Sequence, residues 1–205
     1  MLDELIVAAF GFARTIVGMV NHPYETYRRV VIRANPWELV YLAAVSAAYF
    51  ALASVVKTAS FRPFLLTRQF VVLTTGALIS FTVSLTALWL LARLLGGQGK
   101  LRALAVAWAY TLVPTLTWFL ATSVLYVVIP PPRTTGPLGI IFSIVYLVFS
   151  ATLFYWKATL AYLTLRFGMR LDLPRIVGVF LAAAPVFIFY SLAMYRLGIF
   201  KIPFL

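Results

Sequence analysis

The sequence predicts an all-α fold: a polytopic transmembrane helical bundle of about five spans, preceded by N-terminal interfacial amphipathic helices. Composition is the first observation behind this. Of 205 residues, 63% belong to the apolar set and 11% are charged, and the mean hydropathy is +1.00. A soluble globular chain carries about 25% charged residues to cover its surface, so this surface must face hydrocarbon. The second observation is length. Five apolar runs reach the roughly 20 residues that a helix needs to cross a bilayer. The third is the placement of charge: basic residues stand between the runs or at their ends, with Lys157 the exception. Backbone N–H and C=O groups cannot stay unpaired in lipid, so runs of this length must be helical.

Residues 1–36 form an interfacial segment and residues 37–205 the five-helix domain. The stretch Leu2–Val20 is apolar but carries Asp3, Glu4 and Arg14. Leu2, Ile6, Ala9, Ala13, Val17 and Val20 recur in it at helical spacing. With the residues up to Pro36 it reads as one or two short helices lying in the interface, with Arg28, Arg29 and Arg33 reaching lipid phosphates. The alternative is a sixth span at Leu5–Val20, which is short and holds an arginine. The acidic start lacks the positive n-region of a signal peptide.

The five spans run from about Trp37 to Val56, Phe70 to Leu95, Leu101 to Ile129, Leu138 to Phe167 and Ile176 to Leu197. Gly96-Gly97-Gln98-Gly99 predicts a tight turn between the second and third. Pro130-Pro131-Pro132 and Gly136-Pro137 predict a stiff extended loop between the third and fourth. Pro114 and Pro185 each remove a helical hydrogen bond and predict kinks in the third and fifth spans.

The net charge is +12, from 17 Lys and Arg against 5 Asp and Glu. Such a balance raises the question of nucleic acid, but no basic-aromatic recognition motif is present and none is expected to bind. The cations sit where lipid phosphates lie, so anionic headgroups are the expected partners, with other membrane proteins or a second copy beside them. Ten basic residues fall on the side holding the N-terminal segment and six on the other. That bias places the N-terminus in the cytoplasm and the C-terminus outside. The expected location is the plasma membrane of a prokaryote.

The chain has no cysteine, which excludes disulfides, thiolate metal sites and cysteine nucleophiles. His22 stands alone and reads as an interfacial cap beside Glu25, so no metal or other cofactor is expected. Gly97-Gln98-Gly99-Lys100 fails as a phosphate loop, because Leu94 and Leu101 stand where that motif needs Gly and Ser or Thr. All five carboxylates fall at predicted interfaces or loops, which argues against an ion-coupled pump.

Lys157, in Phe154-Tyr155-Trp156-Lys157-Ala158, is the residue singled out by its place inside a span. It lies about 7 Å to the cytoplasmic side of the middle of that span, at about 1.5 Å per residue. Its stem could snorkel toward the headgroups or its amine pair with a carbonyl; a ligand or ion-pathway role is the other reading. Gly76, Ser80 and Ser84 sit at four-residue intervals in the second span, as Ala43, Ala47 and Ala51 do in the first, a spacing that lets helix backbones approach. Thr75, Thr82 and Thr86 make a neighbouring hydroxyl stripe that could serve a polar path.

At Ala109-Tyr110-Thr111-Leu112-Val113-Pro114 the chain resembles the Yip family of Ypt/Rab-GTPase-interacting membrane proteins, which carry a Gly-Tyr-x-x-x-Pro-like motif in the third span. His22-Pro23-Tyr24-Glu25 and Asn35-Pro36-Trp37-Glu38 are similar to segments before the first span in the prokaryotic branch. The Gly96–Lys100 turn and the aromatic stretch at Tyr155–Lys157 are similar too. Ala109 stands for the usual Gly, and the Asp-Leu-x-Gly-Pro motif of eukaryotic members is missing, so GTPase binding is not carried over. The resemblance implies five spans, a cytoplasmic N-terminus and short loops, and it draws attention to Tyr110 and Pro114. With no catalytic constellation in view, the expected function is a non-enzymatic scaffold or membrane-organising, trafficking-related protein. The rival is a passive permeation or lipid-handling protein with a polar path near Lys157, Tyr110 and the hydroxyl stripe.

Overall fold

Residues 2–58, 63–129 and 136–197 are described by a computed structural model of the chain. Among them are eight helices: α1 (Leu2–Asn21), α2 (Pro23–Arg33), α3 (Pro36–Thr58), α4 (Pro63–Leu94), α5 (Leu101–Tyr110), α6 (Leu112–Val128), α7 (Gly136–Gly168) and α8 (Leu173–Arg196). Five stretches are long and apolar enough to cross a membrane: α3, α4, α5 with α6, α7 and α8. Pro130–Pro132, Arg62, Arg133 and Lys201 lie outside the described residues.

Several boundaries differ from the sequence reading by a few residues, and two of them matter most. α4 begins at Pro63 rather than Phe70. The residues Leu65–Gln69 continue the helix past the apolar run, with Arg68 exposed and a proline opening the first turn, where its missing N–H is harmless. Gly136 and Pro137 open α7 instead of closing a loop. At 33 residues, α7 is about 50 Å long, well beyond the core of a bilayer.

The third span is interrupted where Pro114 predicts. Pro114 has no N–H for the carbonyl of Tyr110, and α5 ends there. The Thr111 N–H turns to the carbonyl of Trp108 at 3.0 Å, a tighter i−3 bond, and the Thr111 hydroxyl donates to the same oxygen at 2.7 Å. α8 continues through Pro185 as one helix.

α5 is the hub. Every residue from Ala103 to Tyr110 is buried, and four alanines at alternate positions let α2, α3, α4 and α7 all approach it. One core joins Met19 of α1 and Tyr27 and Val30 of α2 to Leu42, Val106, Tyr110 and Leu160. A second joins Leu88 and Ala92 to Leu104, Leu165, Ile176 and Val179. The N-terminal helices therefore share the bundle's core at one end rather than only floating on lipid.

The same end holds both short turns, and glycine lets them meet. The Gln98 N–H donates to the Met169 carbonyl at 3.1 Å. Gly96 has φ +87°, which suits glycine alone, and the α-carbon of Gly99 lies against the Gly168 backbone with no room for a side chain. The glycines that fail as a phosphate loop thus have a packing role. α4 meets α8 at Ser80, whose hydroxyl is 2.7 Å from that of Tyr190, and Gly76 and Ser84 of the same line are buried. The alanine spacing of the first span does not mark such a seam, since Ala43 and Ala51 are exposed. Thr75, Thr82 and Thr86 also face outward, so they line no interior path.

Candidate functional site

The residues that carry the resemblance come together at the end of the bundle. Asn35 and Pro36 open α3: the Asn35 side-chain oxygen accepts from the Trp37 N–H at 3.1 Å, and proline at the first position is preset for a helix. This sets Glu38 in the first turn, where the positive helix terminus favours a carboxylate. Just before it, α2 ends at Ala34 in the left-handed conformation, φ 42°. That bend costs a non-glycine residue about 1 kcal/mol. It is held by the Arg102 guanidinium, whose Nε donates to the Ala34 carbonyl at 2.7 Å.

The bend turns Arg33 back onto Glu38. Arg33 Nη2 is 3.0 Å from Glu38 Oε1 and donates to the Thr15 hydroxyl at 3.3 Å. The Tyr110 hydroxyl donates to Glu38 Oε2 at 2.6 Å. Glu38 is 1% exposed and Tyr110 is fully buried, whereas the Arg33 side chain is half exposed. Phe12 of α1 stacks near the Tyr110 and Tyr41 rings, with centroids 6.1 and 5.8 Å away. A hydrogen bond to a charged group contributes about 1.5–3 kcal/mol, so α2, α3 and α5 are latched through one carboxylate, with α1 joined through Thr15 and Arg33.

A second contact lies deeper. The Tyr27 hydroxyl donates to the Ala107 carbonyl at 3.2 Å, and the Thr164 hydroxyl shares that acceptor at 3.3 Å. Burial pushes the Tyr27 hydroxyl well above its ordinary pKa, partly offset by the Thr164 hydroxyl, so it stays protonated and donating.

The sequence reading set Glu38 at the interface end of the first span, and the structure encloses it there in packing. Arg33 is divided between Glu38 and the surface. Arg29 pairs with Glu25 on the exposed face at 3.1 Å, and Arg28 is exposed. His22 takes the N-cap position of α2, but its side chain makes no capping bond. Among the described residues, no group of three His, Asp or Glu could hold a metal ion.

Tyr110 is in this latch, Pro114 breaks the helix just beyond it, and Lys157 stands apart. The Lys157 ammonium donates to the Thr115 hydroxyl of α6 at 2.9 Å. Thr115 is one residue past Pro114, so the interruption helps present it. Among the described residues Lys157 has no carboxylate partner. Nearby polar pairs stitch α6 to α7 in the same way: Trp118 Nε1 donates to the Ser150 hydroxyl at 2.8 Å, and the Thr122 and Tyr146 hydroxyls are 3.2 Å apart. A structural Lys157 makes a prediction. Lys157→Met, close in length and apolar, should fold and stay within about 1 kcal/mol of the parent or above it, because the cost of an intramembrane charge is removed. Thermal unfolding in detergent checks this, and a loss of several degrees would assign the amine a larger role.

A cleft of about 940 Å³ opens between α1 and α2 on the outer side of the latch. Arg14, Arg29 and Arg33 line it, together with Phe10, Val17 and Ile32. Sequence reasoning missed Arg14 as a member of this group, because its meeting with Arg29 and Arg33 around one cleft joins two helices and has no short-range signal.

The described end of the bundle gathers every motif behind the resemblance except the Tyr155–Lys157 stretch. No curated protein and no solved structure matches the chain. The family model of the Yip1 domain matches residues 17–195, from the last turns of α1 almost to the end of α8. With five helices able to span a bilayer and a match over most of its length, the protein is an integral membrane protein belonging to the Yip1 domain family.

Proposed function

We propose that the protein is a non-enzymatic membrane scaffold, which organises the bilayer or other membrane proteins through the end of the bundle carrying α1 and α2. One observation carries this reading: Arg33, Glu38, Tyr110 and Tyr27 fasten the α1–α2 hairpin to the bundle. Glu38 and Tyr110 are out of reach of solvent and are engaged with one another, an arrangement suited to holding a surface in place. The outer side of that hairpin exposes Phe10, Val17, Val20 and Ile32, a face suited to lipid or to a neighbouring membrane helix. The basic bias puts this end in the cytoplasm, and the plasma membrane of a prokaryote is the location that fits the branch of the family it resembles.

Two measurements on the full chain test the proposal. Extracted in its native lipid patch without detergent, the protein should retain a second copy or another membrane protein in fixed ratio, read by mass spectrometry. Reconstituted alone in sealed vesicles, it should pass small solutes and ions no faster than empty vesicles do. Saturable, protein-dependent flux of one solute would overturn the scaffold in favour of permeation.

A further inference from the structure

The cleft between α1 and α2 has a chemistry that the scaffold reading leaves unused. Its lining includes three arginines from two helices: Arg14 from α1, Arg29 and Arg33 from α2. The same lining includes large apolar side chains that are otherwise exposed, Phe10 at 75%, Val17 at 60% and Ile32 at 76%. Two cations in this cleft are already tied: Arg29 to Glu25 and Arg33 to Glu38. Both still have free donors, because a guanidinium has five N–H groups in a planar fork and each ion pair uses one nitrogen. Glycines let α1 and α2 approach closely here. An ideal Cβ on Gly11 would sit 3.4 Å from Arg33 Nη1, and one on Gly18 would sit 2.6 Å from the Thr26 hydroxyl.

We propose that this cleft binds the phosphate headgroup of an anionic membrane lipid, with Arg14, Arg29 and Arg33 on the phosphate and Phe10, Val17 and Ile32 against the upper acyl chain. Three features select a lipid over a soluble anion. The cleft is at the end of a membrane bundle where headgroups lie, its volume exceeds what a bare phosphate fills, and its lining includes large apolar side chains. A phosphate accepts bidentate bonds from arginine, which are directional as well as strong. Arg33 stands between this ligand and Glu38, so an occupied cleft bears on the latch that holds α1 and α2. The inference goes beyond the scaffold reading, and its failure would leave that reading in place.

The experiment uses the full chain, stripped of lipid in a neutral detergent and titrated with dioctanoyl phosphatidylglycerol while bound lipid is counted by native mass spectrometry. One molecule should be retained, with dioctanoyl phosphatidylcholine at least about tenfold weaker. Arg14→Gln with Arg29→Gln should weaken phosphatidylglycerol by about tenfold to a hundredfold, as loss of charge-assisted bonds requires. Gly11→Leu, which fills the cleft without touching charge, should also lower binding. Arg68→Gln, an exposed residue at the start of α4, should leave it unchanged. Equal binding of the two lipids, or full affinity in the double variant, would overturn the proposal. So would competition by inorganic phosphate at concentrations as low as the lipid's own, which would assign the cleft to a soluble anion.

Discussion

Gly99→Ala should lower the stability of the protein by on the order of 4 kcal/mol or more, at the upper end of what one residue does. A methyl group there meets the Gly168 carbonyl oxygen outright, with the carbonyl carbon 2.6 Å away and the Met169 α-carbon 2.8 Å away. Those atoms are backbone and cannot rotate aside. Relief requires the 96–100 turn to lift off the 168–169 turn, which breaks the Gln98–Met169 hydrogen bond and opens the core formed by Ala92, Leu104, Met169 and Leu171. Gly11→Ala is the matched control. Its new methyl makes an ordinary contact with the Arg33 guanidinium, and alanine in a helix is favoured over glycine by about 0.5–1 kcal/mol. Heating the two variants in the same detergent, with the helical signal followed, gives the comparison. Equal midpoints would show that the two turns do not clamp one another.

Arg33→Met is expected to cost about 3 kcal/mol, the lower part of the range for orphaning one member of a buried pair. The half-exposed arginine is partly screened by water, but the carboxylate it leaves behind is 1% exposed and, among the described residues, keeps the Tyr110 hydroxyl alone as a side-chain partner. Tyr110→Phe should cost about 1.5–3 kcal/mol, by removing a hydrogen bond to a charged acceptor. Arg33→Met combined with Glu38→Gln should recover part of the first loss, because the orphaned charge is gone, and that non-additivity identifies the contact. A local probe is available because the chain has no cysteine. A Val30→Cys reporter, buried between α2 and the bundle, should resist thiol reagents in the parent and label quickly once Arg33 is replaced. Unchanged labelling would mean that the latch does not hold α2 down.

Much of the fold was legible because the bilayer imposes a one-dimensional rule. Hydropathy summed over about 20 residues is a local property, so five spans, their order and the short turns follow from the string itself. Pro114 was equally readable, since a missing N–H acts within its own helix. The start of α4 was not, because Leu65–Gln69 belongs to the helix by hydrogen bonding while leaving the apolar run. Spacing alone also treated two small-residue lines alike. Only one of them, Gly76–Ser80–Ser84, has a helix opposite it, whereas Ala43 and Ala51 face outward.

The candidate site divides in the same manner. Tyr110, Pro114 and the Asn35-Pro36-Trp37-Glu38 segment could be picked out as motifs, and Arg28, Arg29 and Arg33 as a basic cluster near headgroups. The sequence by itself determined that the chain is a five-span membrane bundle with its cations gathered toward one end, because apolar length and charge placement are properties of consecutive residues. Only the tertiary structure decided that Glu38 lies buried between Arg33 and Tyr110, and that Arg14 joins Arg29 and Arg33 around one cleft. Glu38 and Tyr110 are 72 positions apart. Residues so distant meet through the left-handed bend at Ala34 and the stacking of α1 and α2 on α5, and no local pattern encodes that meeting.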